Sequence, residues 1–293
     1  MKMNQKRSSA ENSSQEKSEQ SPIHWFRSRA LSREGFLQRL GAGILLVSIG
    51  LLLFHRFLDP DGLFVQNPQQ AFEGPSWQSF MGRDALGRSF SLRMMWAIRQ
   101  SIVLTFFANI IAFFVALSFS LMSMVSPRVY LIFNFLSDVF LSLPRLVLFI
   151  VLASLVSQLQ YWSGVGSSSL VLIVTLGVLT WMPIYRLFIP ILKDDYSKKY
   201  VQAAVVSGQS EASLFFSEIL PNIQSFILHI FVFRWASLLI FEGFLGFIGL
   251  GAQAPFSSWG GLISEGLAFA DLGFHLLFFP SFFFLLGVGS LLY

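Results

Sequence analysis

Six long apolar runs constrain this chain more than anything else in it. They fall at about 40–58, 101–124, 130–156, 169–192, 223–250 and 274–293. A helix needs roughly 20 apolar residues to cross the hydrocarbon core of a bilayer. Inside that core only helices and closed barrels satisfy their own backbone groups. Runs of this length therefore predict an all-α polytopic membrane helix bundle with about six spans. Composition agrees: 54% of the 293 residues are hydrophobic and only 12% are charged, where soluble domains average roughly 25% charged. The chain holds no cysteine, so disulfides and thiolate metal sites are excluded.

The positive charge has a topological reading. Lys2, Lys6, Arg7, Lys17, Arg27, Arg29, Arg33 and Arg39 all precede the first run. Arg128 sits between the second and third runs, and Arg186, Lys193, Lys198 and Lys199 lead into the long polar segment after the fourth. The stretches 157–168 and 251–273 contain neither Lys nor Arg. By the positive-inside rule both termini and the 193–222 loop are cytoplasmic. The counterexample is Arg83, Arg88, Arg93 and Arg99, which this orientation places outside. The first run follows nearly 40 residues and lacks a small-residue cleavage site, so it reads as a span and not a signal peptide. The Ser/Gln/Glu/Lys-rich start predicts a disordered cytoplasmic tail over 1–34. A first span and outer segment follow over 35–100, then a core over 101–293 that carries the 193–222 loop.

The polar stretch Tyr200 to Asn222 within that loop, about two dozen residues long, is the strongest functional signal. A connection between two spans needs only a few residues. Within it Gly208 suits a left-handed turn closing one helix. Ser210 followed by Glu211 reads as an N-cap with an acid in the first turn of the next. Pro221 falls near the start of the fifth span. The physical alternatives are a docking surface for a soluble partner and an ordinary interfacial hairpin. Gln202, Ala203, Ala204, Gly208, Ile219, Leu220 and Pro221 resemble, in order and spacing, the cytoplasmic loop of importer-type ABC transporter permeases. The family pattern is Glu-Ala-Ala, three residues, Gly, about ten residues, Ile-Leu-Pro, with Gln202 here in place of the usual Glu.

Further segments narrow the resemblance to the C-type permease of the dipeptide, oligopeptide and nickel group. Gly82-Arg83-Asp84-Ala85-Leu86-Gly87-Arg88 is similar to the family's motif before the second span, with Ser89 where an Asp is usual. Asp138 to Pro144 is similar to its third-span signature. Glu242, Phe247 to Gly251, Pro255 and Ser258-Trp259-Gly260 resemble the end of its fifth span and the loop beyond. The last span ends at Tyr293, where the family usually continues for a dozen or so residues.

The resemblance implies a MetI-like permease fold and a subunit of an ATP-driven importer in a bacterial inner (plasma) membrane. The implied partners are a homologous B-type permease, two cytoplasmic ABC ATPase subunits, an external solute-binding protein and membrane lipid, with no nucleic acid. The 200–217 segment would be the coupling helix seated on the ATPase. No phosphate-binding loop occurs in the sequence, so ATP would be bound and hydrolysed on the partners; the chain itself is expected to need no cofactor and to be no enzyme. His24, His55, His229 and His275 lack ligand spacing.

Gly246, Gly249 and Gly251 permit either close helix packing or a break beside a cavity. With Glu242 and Trp259 they are candidates for the pathway or its gate. Trp259 reads equally as an interfacial anchor. Asp138, Arg145 and Arg234 are expected to bond to neighbouring helices at least as readily as to a solute, and Pro144 to kink the third span. Two competing classes are a secondary transporter, which would need coupling acids or inverted repeats, and a membrane scaffold.

Overall fold

The computed structural model describes residues 65–144, 147–148, 150–151, 154, 168–251 and 257–292. The predicted tail, the run at 40–58, Arg145 and Pro255 lie outside them. The described elements are α1 (Phe90–Val125), α2 (Pro127–Ser142), α3 (Ser168–Leu179), α4 (Trp181–Tyr196), α5 (Lys199–Val206), α6 (Glu211–Leu214), a π-helical turn (Phe215–Ile219), α7 (Leu220–Phe247), α8 (Trp259–Ala268) and α9 (His275–Leu292). Among the described residues the bundle is all α, apart from a lone bridge between Arg83 and Ser89. Four segments among the described residues are long and apolar enough to cross a membrane: Phe90–Val125, Ser169–Tyr196, Phe215–Phe247 and His275–Leu292.

Helix α1 is the axis of the bundle. It begins at Phe90, well before the apolar run expected from 101. Its buried face is a stripe of small residues at near four-residue spacing: Ala97, Ser101, Thr105, Ala108, Ala112, Ala116 and Ser120 are all fully buried. Within lipid, helices associate by close packing of such residues and not by hydrophobic expulsion. The hydroxyls on the stripe bond back to their own helix, Thr105 to the Ser101 carbonyl at 2.7 Å and Ser120 to that of Ala116 at 2.7 Å. Helix α3 crosses this face so closely that a Cβ on Gly177 would sit 2.7 Å from Ile111.

Two helices are interrupted by proline chemistry. α2 stops at Ser142, and Leu143 is extended (φ −79°, ψ 142°) because it precedes Pro144. The chain therefore breaks where a kink was expected. The fourth run is likewise divided at Thr180 (φ −106°, ψ 10°). Pro183 has no N–H to offer the Leu179 carbonyl.

The bundle has two well-separated ends. At one, Leu192, Val201, Leu214, Phe215 and Ile219 pack beneath the α4–α7 loop. At the other, Phe90, Met94, Trp259, Leu262 and Leu276 join the starts of α1, α8 and α9. Helix α7, with 28 residues, runs between them and is about 42 Å long at 1.5 Å per residue.

Candidate functional site: the α4–α7 loop and the far end of α7

The loop is shorter than the sequence suggests, because residues 193–196 belong to α4 and residues from 211 onward are helical. α5 buries one side chain completely, Val201, and leaves Gln202, Ala203, Val205 and Val206 exposed, the last at 88%. Ala204 is half-buried. Gly208 then adopts φ +84°. Its N–H bonds to the Val205 carbonyl at 3.0 Å and that of Gln209 to Ala204 at 3.2 Å. This pair of bonds is the Schellman arrangement that closes a helix on a left-handed residue. Ser210 caps the next turn, its Oγ accepting from the Ser213 N–H at 3.3 Å. Glu211 lies exposed in that first turn.

No boundary separates α6 from α7. The π turn carries the helix through, with the Leu220 N–H reaching back to the Phe215 carbonyl. Pro221 lies directly after it. The wider turn absorbs a residue that could not donate to an ordinary i−4 carbonyl. Ile219 is buried at 0% and Leu220 half-buried, whereas Phe216 is 67% exposed. The loop thus presents Val205, Val206 and Phe216 as bare apolar side chains at one end of the bundle. Gln202 lies beside them, and its amide donates to the Ser197 carbonyl at 3.2 Å.

A polar clasp that sequence reading missed fixes the base of this loop. Asp195, 2% exposed at the end of α4, accepts from the Asn222 amide at 3.0 and 3.2 Å and from Lys198. The same amide donates to the Tyr200 hydroxyl at 3.1 Å. Its hydrogen bond to Asp195 holds the Lys198 ammonium above the usual lysine range. The available signal was an acid ending one apolar run and an amide opening the next.

At the far end, glycines serve packing. Helix α7 closes on Gly249 (φ +84°) in a second Schellman arrangement, with Gly249 N–H to Gly246 at 3.1 Å and Leu250 N–H to Leu245 at 2.8 Å. A Cβ on Gly260 would lie 1.7 Å from the Gly243 carbonyl oxygen, one on Gly246 2.1 Å from Ser258 Oγ, and one on Gly251 2.6 Å from Gly246 Cα. Helices α7 and α8 therefore meet backbone to backbone. Trp259 is 2% exposed, a correction to the interfacial-anchor reading. Its indole donates to the Pro280 carbonyl at 3.0 Å, and its backbone N–H to Ser101 Oγ at 3.0 Å. Glu242 is 1% exposed, and neither carboxylate oxygen meets a hydrogen-bond partner within bonding geometry among the described residues.

The four arginines that opposed the topology reading belong to this end. Arg83 pairs with Glu73 at 3.5 Å, Arg88 with Asp84 at 2.7 Å, and Arg93 with Asp84 at 2.8 Å and Glu265 at 2.6 Å. Arg99 stacks 4.8 Å from the centre of the Trp96 ring. Asp84 also accepts from the Leu86 and Arg88 N–H groups. The Gly82–Arg88 motif is thus a folded knot that holds the segment before α1 to α1 and α8. Ser89, at the position of the family's Asp, lies 3.1 Å from Ser91 through the two hydroxyls.

Two polar groups in the spans found neighbours. Asp138 pairs with Arg186 of α4, and Arg234 reaches the Thr180 carbonyl at 3.5 Å. His275 meets the Arg83 carbonyl at 3.2 Å. No group of three or more His, Cys, Asp or Glu that could hold a metal occurs among the described residues.

A multi-pass helical bundle with a structured polar loop at one end is the architecture of an integral membrane subunit. Residues 108–292 match the family described as binding-protein-dependent transport system inner membrane component, and the chain belongs to that family. It is 27% identical over 205 residues to the oligopeptide transport system permease protein OppC of Haemophilus influenzae, covering 70% of this chain and 63% of that one. It is 34% identical over 116 residues to OppC of Salmonella typhimurium, 40% of this chain and 38% of that one. Against the dipeptide transport system permease protein DppC of Bacillus subtilis it is 28% identical over 249 residues, 84% of this chain and 75% of that one. The chain thus spans less than two thirds of the length of the two oligopeptide relatives.

Proposed function

We propose that this chain is the permease subunit of an ATP-driven importer that carries peptides or related small solutes across a bacterial inner membrane. It would pair with a homologous permease, two cytoplasmic ATPases and an external solute-binding protein, and ATP would be hydrolysed on those partners. The observation that carries the reading is the loop: a short helix, a left-handed glycine and a second helix continuous with α7, with Val205, Val206 and Phe216 bare. A loop built only to connect spans needs neither the elbow nor exposed apolar side chains. The resemblance to peptide permeases supports the solute class.

The loop end is assigned to the cytoplasm. The opposing arginines have a structural reason for their place, because Arg83, Arg88 and Arg93 are ion-paired with Glu73, Asp84 and Glu265. What remains is the excess of Lys and Arg in the other loops. Two measurements test the reading. Purification from membranes should bring down a second permease and two ATPase subunits; recovery of the chain without an ATPase overturns the importer assignment. Single cysteines at Ser210 and Leu272, in a chain that has none, should react with an impermeant reagent on intact cells only at 272.

A further inference from the structure

The ion pair between Asp138 of α2 and Arg186 of α4 lies deep in the membrane yet is not enclosed. Lys193, near the end of α4, sits 3.9 Å from the centre of the Tyr130 ring, near the start of α2. Both helices can therefore be measured from the same end of the bundle, where the α4–α7 loop lies. Asp138 is about 17 Å along α2 from Pro127, and Arg186 about 15 Å back from Tyr196. In a hydrocarbon core roughly 30 Å thick, that is its middle. The Asp138 side chain is nevertheless 56% exposed and that of Arg186 37%. Asn134, one turn before Asp138, donates to it at 3.3 Å.

Backbone is bare on α2 as well. One turn beyond Asp138 the helix stops, Leu143 is extended, and both Leu143 and Pro144 are exposed. Leu143 is about 24 Å from the start of α2, still within the core. Non-helical backbone at that depth is tolerated only where protein buries it or water borders it. Charged side chains at mid-membrane likewise face a bundle interior or a water-filled cavity. Lipid is thereby excluded from this side on two counts. A protein cover would take both charges out of water, a cost that their mutual attraction does not readily offset. Phe114 of α1 makes the contrast. It lies at the same depth, about 17 Å from Val125, and is 73% exposed with Phe107 and Ile110 bare on the same helix. Helix α1 carries no charged residue after Arg99, so that side suits lipid.

We propose that the side of α2 and α4 bearing Asp138 and Arg186 is a wall of the water-filled path along which the solute crosses. The proposal rests on the importer reading above and names the surface of this chain that the solute passes. The pair suits such a wall. Carboxylate and guanidinium cancel, so the wall is wet but carries no net charge that would hold or repel a zwitterionic solute.

The chain has no cysteine, so single cysteines report directly. Phe135→Cys and Ser142→Cys flank Asp138 by one turn on either side and leave the pair intact. Phe114→Cys and Leu285→Cys report the apolar surface. The purified complex is placed in lipid nanodiscs, where a water-soluble methanethiosulfonate reaches both faces, and modification of this chain is read by mass. The thiolate is the reactive form, and apolar surroundings suppress it. Cysteines at 135 and 142 should therefore react about hundredfold faster than those at 114 and 285. Equal rates overturn the proposal and mean that lipid or the second permease covers this side. The rate at 135 should also differ between nucleotide-free and nucleotide-trapped complexes, since a path opens and closes. Fast labelling that is identical in both states marks a static wet pocket and overturns the proposal equally. Asp138→Asn combined with Phe135→Cys leaves the Arg186 charge unmatched on the wall. The ratio of anionic to cationic reagent rates should then rise about tenfold, and an unchanged ratio counts against the wall. Should this double variant fail to assemble, the single cysteines decide. A complex that purifies without an ATPase defeats the importer reading, and the solute path falls with it; slow labelling in a complex that keeps its ATPase defeats the path alone.

Discussion

Replacing Gly208 with alanine separates backbone strain from steric conflict. Gly208 sits at φ +84°, and a Cβ added there would meet no atom within 4 Å. The substitution therefore clashes with nothing, and its cost is the left-handed conformation alone, about 1–2 kcal/mol for a residue with a Cβ. Asparagine occupies that region more readily and should cost less, while β-branched valine should cost more. The penalty falls on a weakly held element. Val201 is the one fully buried side chain of α5, and burial of one valine contributes roughly 1.5–3 kcal/mol. Strain of comparable size should open the last turn of α5 about 5–30-fold more often. Hydrogen exchange at the Ser207, Gly208 and Gln209 amides, which donate to Ala203, Val205 and Ala204, reads this opening directly. Exchange should accelerate in the order Asn, Ala, Val, with the spans unchanged and uptake falling in the same order. Alanine indistinguishable from glycine, or asparagine as damaging as valine, would refute the reasoning.

Gly260→Ala is the converse case, since its Cβ would fall 1.7 Å from the Gly243 carbonyl oxygen. Parting α7 from α8 should cost at least about 1–3 kcal/mol, read as a lower melting temperature in detergent, whereas Gly74→Ala, with nothing within 4 Å, should be neutral. Asn222→Ala strips an amide from buried Asp195 and should cost about 1–3 kcal/mol, and Asn222→Asp should be worse by like-charge repulsion; thermal melts rank the two. Gln202→Glu gives up one exposed bond to the Ser197 carbonyl, worth about 1 kcal/mol or less. It should leave the fold intact and increase ATPase retention on purification through a charge-assisted contact; weaker retention would show that the partner is adapted to glutamine. Glu242→Gln should preserve assembly, because neither oxygen of Glu242 meets a hydrogen-bond partner within bonding geometry among the described residues, while Glu242→Lys, which buries an unpaired cation, should abolish it; equal yields of the two would contradict this.

Features governed by local backbone chemistry were legible in the sequence. Gly208 and Ser210 are an elbow and a cap because φ > 0 and an orphan N–H are requirements met within a few residues. The apolar runs at 169–192 and 274–293 became helices near those limits. What was not legible depends on distant partners. The first turns of α1 looked like loop because they hold Arg93 and Arg99, yet Arg93 is matched by Glu265, 172 residues away. The Asp195–Asn222 clasp joins residues 27 apart. Trp259 looked like an anchor at the membrane surface because its burial depends on Gly260, whose missing Cβ lets α8 lie against α7. Pro144 was read for the kink it makes in a continuous helix, but the extended residue before it ends α2 outright.

The sequence placed an elbow at Gly208 and Pro221 near the start of the fifth span, and the helix runs through Pro221 without a break. From Glu211 through the π turn to Phe247 the helix is unbroken, a rod about 55 Å long. One end of the rod is the capped turn at Ser210, and the other is the contact of Gly243 and Gly246 with Gly260 and Ser258. The Asp195–Asn222 clasp grips the rod near its lower third, and Arg234 lies part-way between clasp and crossing. With no break at Pro221, a displacement imposed on α6 would be carried along the helix toward the crossing. The α5 helix lies on the other side of the left-handed turn at Gly208. The elbow therefore separates α5 from the continuous rod, and under the importer reading proposed above strain at Gly208 should disturb transport without disturbing the spans.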